Sequence, residues 1–98
     1  MKTFYVYILA SKTGTLYTGV TSRLRARTYE HKTKQHPGFT AEYHVDRLLY
    51  VELFNTAMDA IRREKQIKGY RREKKIALID AKNPHWDDLA ADWFADLK

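Results

Sequence analysis

The first apolar run, Phe4-Tyr5-Val6-Tyr7-Ile8-Leu9-Ala10, carries no charge and is rich in aromatic and β-branched side chains. Such a run suits a strand covered on both faces, so it predicts the central strand of a sheet. Turn-forming residues Ser11-Lys12-Thr13-Gly14 follow, and Thr15-Leu16-Tyr17-Thr18-Gly19-Val20 returns as a second strand. A turn centred near Lys12 and Thr13 makes Tyr7 and Tyr17 cross-strand neighbours on one face. The period then changes to that of a helix. Thr21 or Ser22 is the expected cap, and the helix runs to about Lys32 with Leu24, Arg27 and His31 on one stripe.

Residues 33–45 contain Gln35-His36-Pro37-Gly38 and read as an irregular loop or a short helical turn. Arg47-Leu48-Leu49-Tyr50-Val51-Glu52-Leu53-Phe54 supplies a third strand. Thr56-Ala57-Met58-Asp59 matches a capping box and opens a helix whose inner stripe is Ala57, Ala60, Ile61, Glu64 and Ile67. Gly69 is placed to end it, and a further helix, about Arg71 to Ala81, buries Ile76, Leu78 and Ile79. Asn83-Pro84 breaks the pattern. Beyond it, Trp86, Leu89, Ala90, Trp93 and Leu97 predict a last amphipathic helix over about 85–97, ringed by Asp87, Asp88, Asp92 and Asp96. The two tryptophans read as core contacts rather than base-stacking platforms.

With 98 residues, the expectation is one domain, a core of about 1–82 followed by the acidic helix. The absence of cysteine excludes disulfides, thiolate metal sites and a cysteine nucleophile. No apolar run approaches a membrane span and no secretory signal follows Met1-Lys2, so a soluble, cytoplasmic protein without a membrane partner is expected. The net charge of +6 is divided unevenly, +9 over residues 1–82 and −3 beyond them. Eight cations fall between Arg62 and Lys75, and a polyanion such as nucleic acid is the natural partner for such a surface. A merely soluble basic surface fits the charge equally well.

Two helices thus each deliver a polar group onto an apolar stripe, Arg27 with His31 on one and Glu64 on the other. An ionised carboxylate among apolar neighbours is costly unless a cation meets it. Arginine offers a planar fork that matches phosphate oxygens, and a lone carboxylate suits Mg²⁺, which keeps several waters. With a phenol or imidazole to orient water, these are the parts for metal-assisted phosphodiester hydrolysis. Each has a plainer explanation. Arg27 and Glu64 can form an ion pair, His31 can serve the helix dipole, and Tyr7 with Tyr17 can be an aromatic pair on the sheet.

The order of the motifs favours the chemical reading. Tyr5-Val6-Tyr7, then Tyr17-Thr18-Gly19, then Leu24-Arg25-Ala26-Arg27 and His31, resembles the GIY-YIG nuclease superfamily. The run Ala60-Ile61-Arg62-Arg63-Glu64-Lys65-Gln66-Ile67-Lys68 is similar to its glutamate-bearing helix. Asn83-Pro84-His85-Trp86-Asp87-Asp88-Leu89 is similar to the tail of its small bacterial members. The resemblance implies an α+β fold with a three-stranded antiparallel sheet flanked by helices, and cleavage of nucleic acid, DNA before RNA, with Mg²⁺ or Mn²⁺. It assigns catalysis to Tyr7, Tyr17, Arg27, His31 and Glu64, with Glu64 as the metal ligand. Relatives of this kind act as homing endonucleases, restriction enzymes and the incision subunit of excision repair. Tyr5 stands where the first motif has glycine, and Thr18 where the second has isoleucine.

Arg23, Arg62, Arg63, Lys65, Lys68, Arg71 and Arg72 are the expected contacts to the nucleic-acid backbone. Two other readings stay open. One is a nucleic-acid-binding module on the same scaffold without turnover, and the other is a protein-interaction domain using the acidic terminal helix.

Overall fold

The computed structural model describes residues 2–35 and 38–94. Its centre is the strand β1 (Phe4–Ala10), flanked by β2 (Leu16–Thr21) and β3 (Arg47–Phe54) in the antiparallel order β2-β1-β3. Four helices complete the described α+β fold: α1 (Leu24–Lys32), α2 (Phe39–Glu42), α3 (Ala57–Lys68) and α4 (Arg72–Lys82). The central position of β1 explains its unbroken apolar sequence. Val6, Ile8 and Ala10 enter one core with Ala60, Ile67 and Ile79 of α3 and α4, while Tyr7 and Leu9 enter a second with Val45, Leu48 and Ala90.

The hairpin turn lies where expected. The Ser11 N–H donates to Thr15 O at 2.9 Å, and Gly14 takes a φ of 95°, a conformation that side chains disfavour. Tyr7 pairs with Gly19 and Tyr17 with Leu9, so the two tyrosines are diagonal neighbours on one face. On the other edge, Ile8 pairs with Tyr50 and Leu9 with Leu48. The intervening bulge lets the consecutive residues Leu49 and Tyr50 both enter the α3–α4 core.

The helix ends depart from sequence expectation in detail. Neither Thr21 nor Ser22 is the N-cap of α1. Arg23 holds that position, and the Thr21 hydroxyl accepts from the Arg23 N–H at 3.0 Å, closing the preceding turn. Thr56 caps α3 as the capping box predicts, accepting from the Asp59 N–H at 3.2 Å. On the inner stripe of α3, Ala60 and Ile67 are buried, whereas Ala57 and Ile61 are exposed.

The larger correction concerns the chain after Asn83. Residues 84–94 form turns and irregular stretches instead of the expected helix. Asp96 and Leu97 lie outside the described residues. Side chains account for the change. Asn83 Nδ2 donates to Leu49 O at 3.1 Å and to Asp87 O at 2.8 Å. Asp88 Oδ1 accepts from the N–H groups of Leu48 at 3.1 Å and Ala90 at 3.0 Å, and the Leu89 N–H donates to Leu48 O at 2.8 Å. Those N–H groups are thereby lost to a helical ladder. Asp88 also meets Lys32 Nζ at 2.5 Å. Trp86 and Trp93 do pack against the two cores, as their apolar bodies require.

One buried polar atom stands out. Thr18, 4% exposed, points its hydroxyl into the interior without a hydrogen-bond partner among the described residues. An orphaned hydroxyl costs about 1 kcal/mol or more. Thr18→Val removes it while keeping the shape, and is expected to raise unfolding free energy by about 1 kcal/mol in urea titrations. A loss of stability would show that the hydroxyl has a partner.

Candidate active site

The two tyrosines meet on the sheet face that α1 and α2 border. Their ring centroids are 6.4 Å apart, and both rings approach the His31 ring, at 6.0 Å for Tyr7 and 5.7 Å for Tyr17. Tyr7 lies across Gly19. A Cβ at Gly19 would come within 2.5 Å of the Tyr7 phenol, so only glycine leaves room for the ring. The Tyr7 hydroxyl hydrogen-bonds His31 Nε2 at 3.2 Å, and His31 Nδ1 bonds the Thr40 hydroxyl at 3.0 Å. Both imidazole nitrogens are therefore satisfied inside the protein. His31 is 1% exposed and Tyr7 2%, which places them behind the surface that a substrate would touch.

Burial raises the Tyr7 pKa well above the ordinary tyrosine value, and the neighbouring Tyr17, Glu64 and Glu30 push the same way against the opposing pull of Arg27. Tyr7 is therefore a neutral phenol at physiological pH.

In front of this buried pair stand the more accessible groups. Arg27, with 31% of its side chain exposed, is paired within α1 to Glu30, Nε to Oε1 at 3.2 Å. Glu64, 12% exposed, reaches the same region from α3 and meets Lys68 Nζ at 2.8 Å. That ammonium sits 6.0 Å from the centre of the Tyr17 ring. The proposed Arg27–Glu64 ion pair does not form; each takes a partner one helical turn away in its own helix. The inward stripe predicted for α1 is occupied by Thr28 and His31, with Arg27 at its margin.

Glu64 is a partly buried carboxylate already facing a half-exposed cation, which fits a divalent ion that takes one protein oxygen and fills its other positions with water or phosphate. Among the described residues, no group of three or more acidic or histidine side chains forms a closed metal cage. Such an ion would rest on Glu64 alone.

The predicted backbone contacts divide. Arg63 is a correction: its Nε and Nη2 donate to the two oxygens of Glu52 at 2.9 and 3.0 Å, and its Nη1 donates to Gln66 Oε1 at 2.6 Å. This part-buried bidentate pair ties α3 to β3. Burial and the hydrogen bond to Glu52 push the Tyr50 hydroxyl up to about 12. Burial opposes ionisation of Glu52, but the Arg63 and Tyr50 bonds outweigh it and hold that carboxyl below its ordinary value. Arg72 Nη2 donates to Gly14 O at 2.7 Å, tying α4 to the hairpin, and Arg62 lies 3.6 Å from Asp59. Lys68 is engaged by Glu64. Arg23, Lys65 and Arg71 are exposed.

Three residues of the site were not singled out by sequence reasoning. Gly19 was visible in the second motif, though only the register shows what it must clear. Glu30 was legible as an i, i+3 partner of Arg27. Thr40 had no signal, because the loop that carries it meets His31 only in the folded chain.

Gly19→Ala is accordingly expected to displace the Tyr7 phenol and break its bond to His31. Overpacking of this kind typically costs about 1–3 kcal/mol. Thermal unfolding should record the loss, and an unchanged midpoint with the Tyr7–His31 contact intact would contradict it.

A family model described as the GIY-YIG catalytic domain matches residues 3–77. A UPF0213 protein of Staphylococcus saprophyticus is 37% identical over 79 residues, covering 81% of this chain and 96% of its own. A UPF0213 protein of Staphylococcus aureus matches to the same extent, with 37% identity over 79 residues. The solution structure of a UPF0213 protein from Bacillus halodurans is similar in fold, with a TM-score of 0.57, 30% identity, and coverage of 92% of this chain and 97% of that one.

Proposed function

We propose, because this chain belongs to the GIY-YIG family, that it is a metal-dependent endonuclease that hydrolyses nucleic-acid phosphodiesters, DNA in preference to RNA, in the cytoplasm. The observation that carries the reading is the packing of Tyr17 against the buried Tyr7–His31 pair, with Arg27 one helical turn before His31 on α1 and the Glu64–Lys68 pair beside the Tyr17 ring. Phosphoryl transfer asks a protein mainly for positioning and for charge stabilisation, and these groups supply both.

Glu64 would hold Mg²⁺ or Mn²⁺, exchanging Lys68 for the ion. When bound, a divalent ion neutralises charge on the scissile phosphate and acidifies water. Arg27 gives up Glu30 for a phosphate oxygen and stabilises the charge that grows as the attacking oxygen adds and the ester oxygen leaves. Tyr17 orients the attacking water. Tyr7 remains protonated and, through His31 and Thr40, fixes the floor on which Tyr17 rests. Arg23, Lys65 and Arg71 guide the backbone by charge alone, independently of sequence.

A cleavage panel tests this: single-stranded, duplex, branched and damaged DNA, with RNA alongside, each in Mg²⁺, in Mn²⁺ and in EDTA. Cleavage of at least one substrate that EDTA stops is expected. Binding with no cleavage of any substrate would favour a binding module instead.

A further inference from the structure

Large apolar side chains on a surface mark an interaction site when they are contiguous and held in place. Phe39 and Tyr43 meet both conditions. They are 47% and 50% exposed at the two ends of one helical turn, Phe39 opening α2 and Tyr43 capping it, with ring centroids 4.8 Å from each other. Phe39 is tilted 42° from Tyr43 and stacks on Tyr17 at 6.4 Å with 28° between the ring planes. A ladder of three aromatic rings thus leads from the candidate active site out to solvent.

The same short helix is anchored from its other side. Thr40 is 3% exposed and bonded to His31, and the Val45 N–H donates to Thr40 O at 2.9 Å. The inward residue ties α2 to the site, while the outward residues keep their rings open. If Phe39 and Tyr43 served only to cover Tyr17, burial would be the expected result. Beside Tyr43, a cleft of about 400 Å³ contains Lys12 and His44; Asp46 in the same cleft is 3.9 Å from Lys34. The larger groove beside α1, by contrast, has its rings engaged with one another: Arg25 covers Phe94 at 5.0 Å, and Tyr29 abuts Phe94 at 5.2 Å.

We infer that Phe39 and Tyr43 form a stacking subsite for an exposed nucleobase of the nucleic acid whose phosphate lies at Arg27 and Glu64, with Lys12 beside the adjoining phosphate. Flat aromatic faces accept any base, so the subsite selects an unstacked base rather than a sequence. This rests on the nuclease reading for its ligand but not on turnover for its test.

The test is fluorescence anisotropy of the full chain in EDTA with two labelled single-stranded oligonucleotides. One carries all its bases, and the other has the same phosphates but a central run of abasic sites. Wild type is expected to bind the first at least about tenfold more tightly, and Tyr43→Ala, alone or with Phe39→Ala, to remove that difference. Tyr43→Trp should retain it. Equal binding of both oligonucleotides by wild type, or equal weakening of both by Tyr43→Ala, would overturn the subsite. Cleavage in Mg²⁺ is scored separately: a protein that cleaves but ignores base content loses only the subsite, and one that discriminates bases but never cleaves loses only the hydrolytic reading.

Discussion

Glu64→Gln is expected to lower metal-dependent cleavage by at least about 1000-fold while leaving the fold intact. The substitution keeps the shape of the side chain and removes only its charge. Glu64 on α3 is 12% exposed, and its cation is the half-exposed Lys68. An ion pair of this i, i+4 kind contributes only a few tenths of a kcal/mol, so circular dichroism and thermal unfolding should barely change. The neutral amide offers a divalent ion far less, and no group of three or more acidic or histidine side chains stands there to hold the ion in its place among the described residues. Activity and stability should therefore separate cleanly. Wild-type cleavage rates in the variant would remove Glu64 from the chemistry.

Arg27→Ala is expected to cost about 100- to 1000-fold in cleavage rate at saturating substrate, the usual penalty for losing a pre-organised donor to developing charge. Its effect on folding should again be small, because the Arg27–Glu30 pair is about one-third exposed on both sides and such pairs contribute about 1 kcal/mol or less. Arg27→Lys distinguishes charge from geometry. A lysine keeps the positive charge but loses the planar fork, so recovery should be partial. Single-turnover kinetics reads the difference. If Arg27→Ala changed only substrate affinity and left the single-turnover rate intact, the arginine would be a binding contact and not a stabiliser of the reaction.

The legible parts of this fold are those set by local pattern. The unbroken apolar run of β1 located the sheet centre, the Lys12-Thr13 turn fixed Tyr7 and Tyr17 on one face, and Thr56 with Asp59 marked the start of α3. The site residues could be named because helical spacing and motif order place them, whatever their partners. Their partners were less visible. Arg27 and Glu64 looked complementary across two helices, yet each was satisfied more cheaply by a neighbour within its own helix, which needs no distant docking. Arg63 looked like a surface cation because its carboxylate, Glu52, lies in another element eleven residues away. The tail failed for a related reason. A helical stripe of Trp86, Leu89, Ala90 and Trp93 is present, but Asn83 and Asp88 use their side chains to bind the edge of β3, and those long-range bonds outweigh a local helix. Sequence periodicity records which residues want burial. It does not record which polar groups will satisfy one another.

The proposed hydrolysis stands or falls on Glu64. Nicking of supercoiled plasmid by wild type and Glu64→Gln, purified identically and compared in Mg²⁺, Mn²⁺ and EDTA, tests it most directly. Wild type is expected to convert the plasmid to open circles with metal and not in EDTA, and Glu64→Gln to show no conversion above background. Equal nicking by the two proteins, or nicking that EDTA leaves untouched, would contradict the proposal.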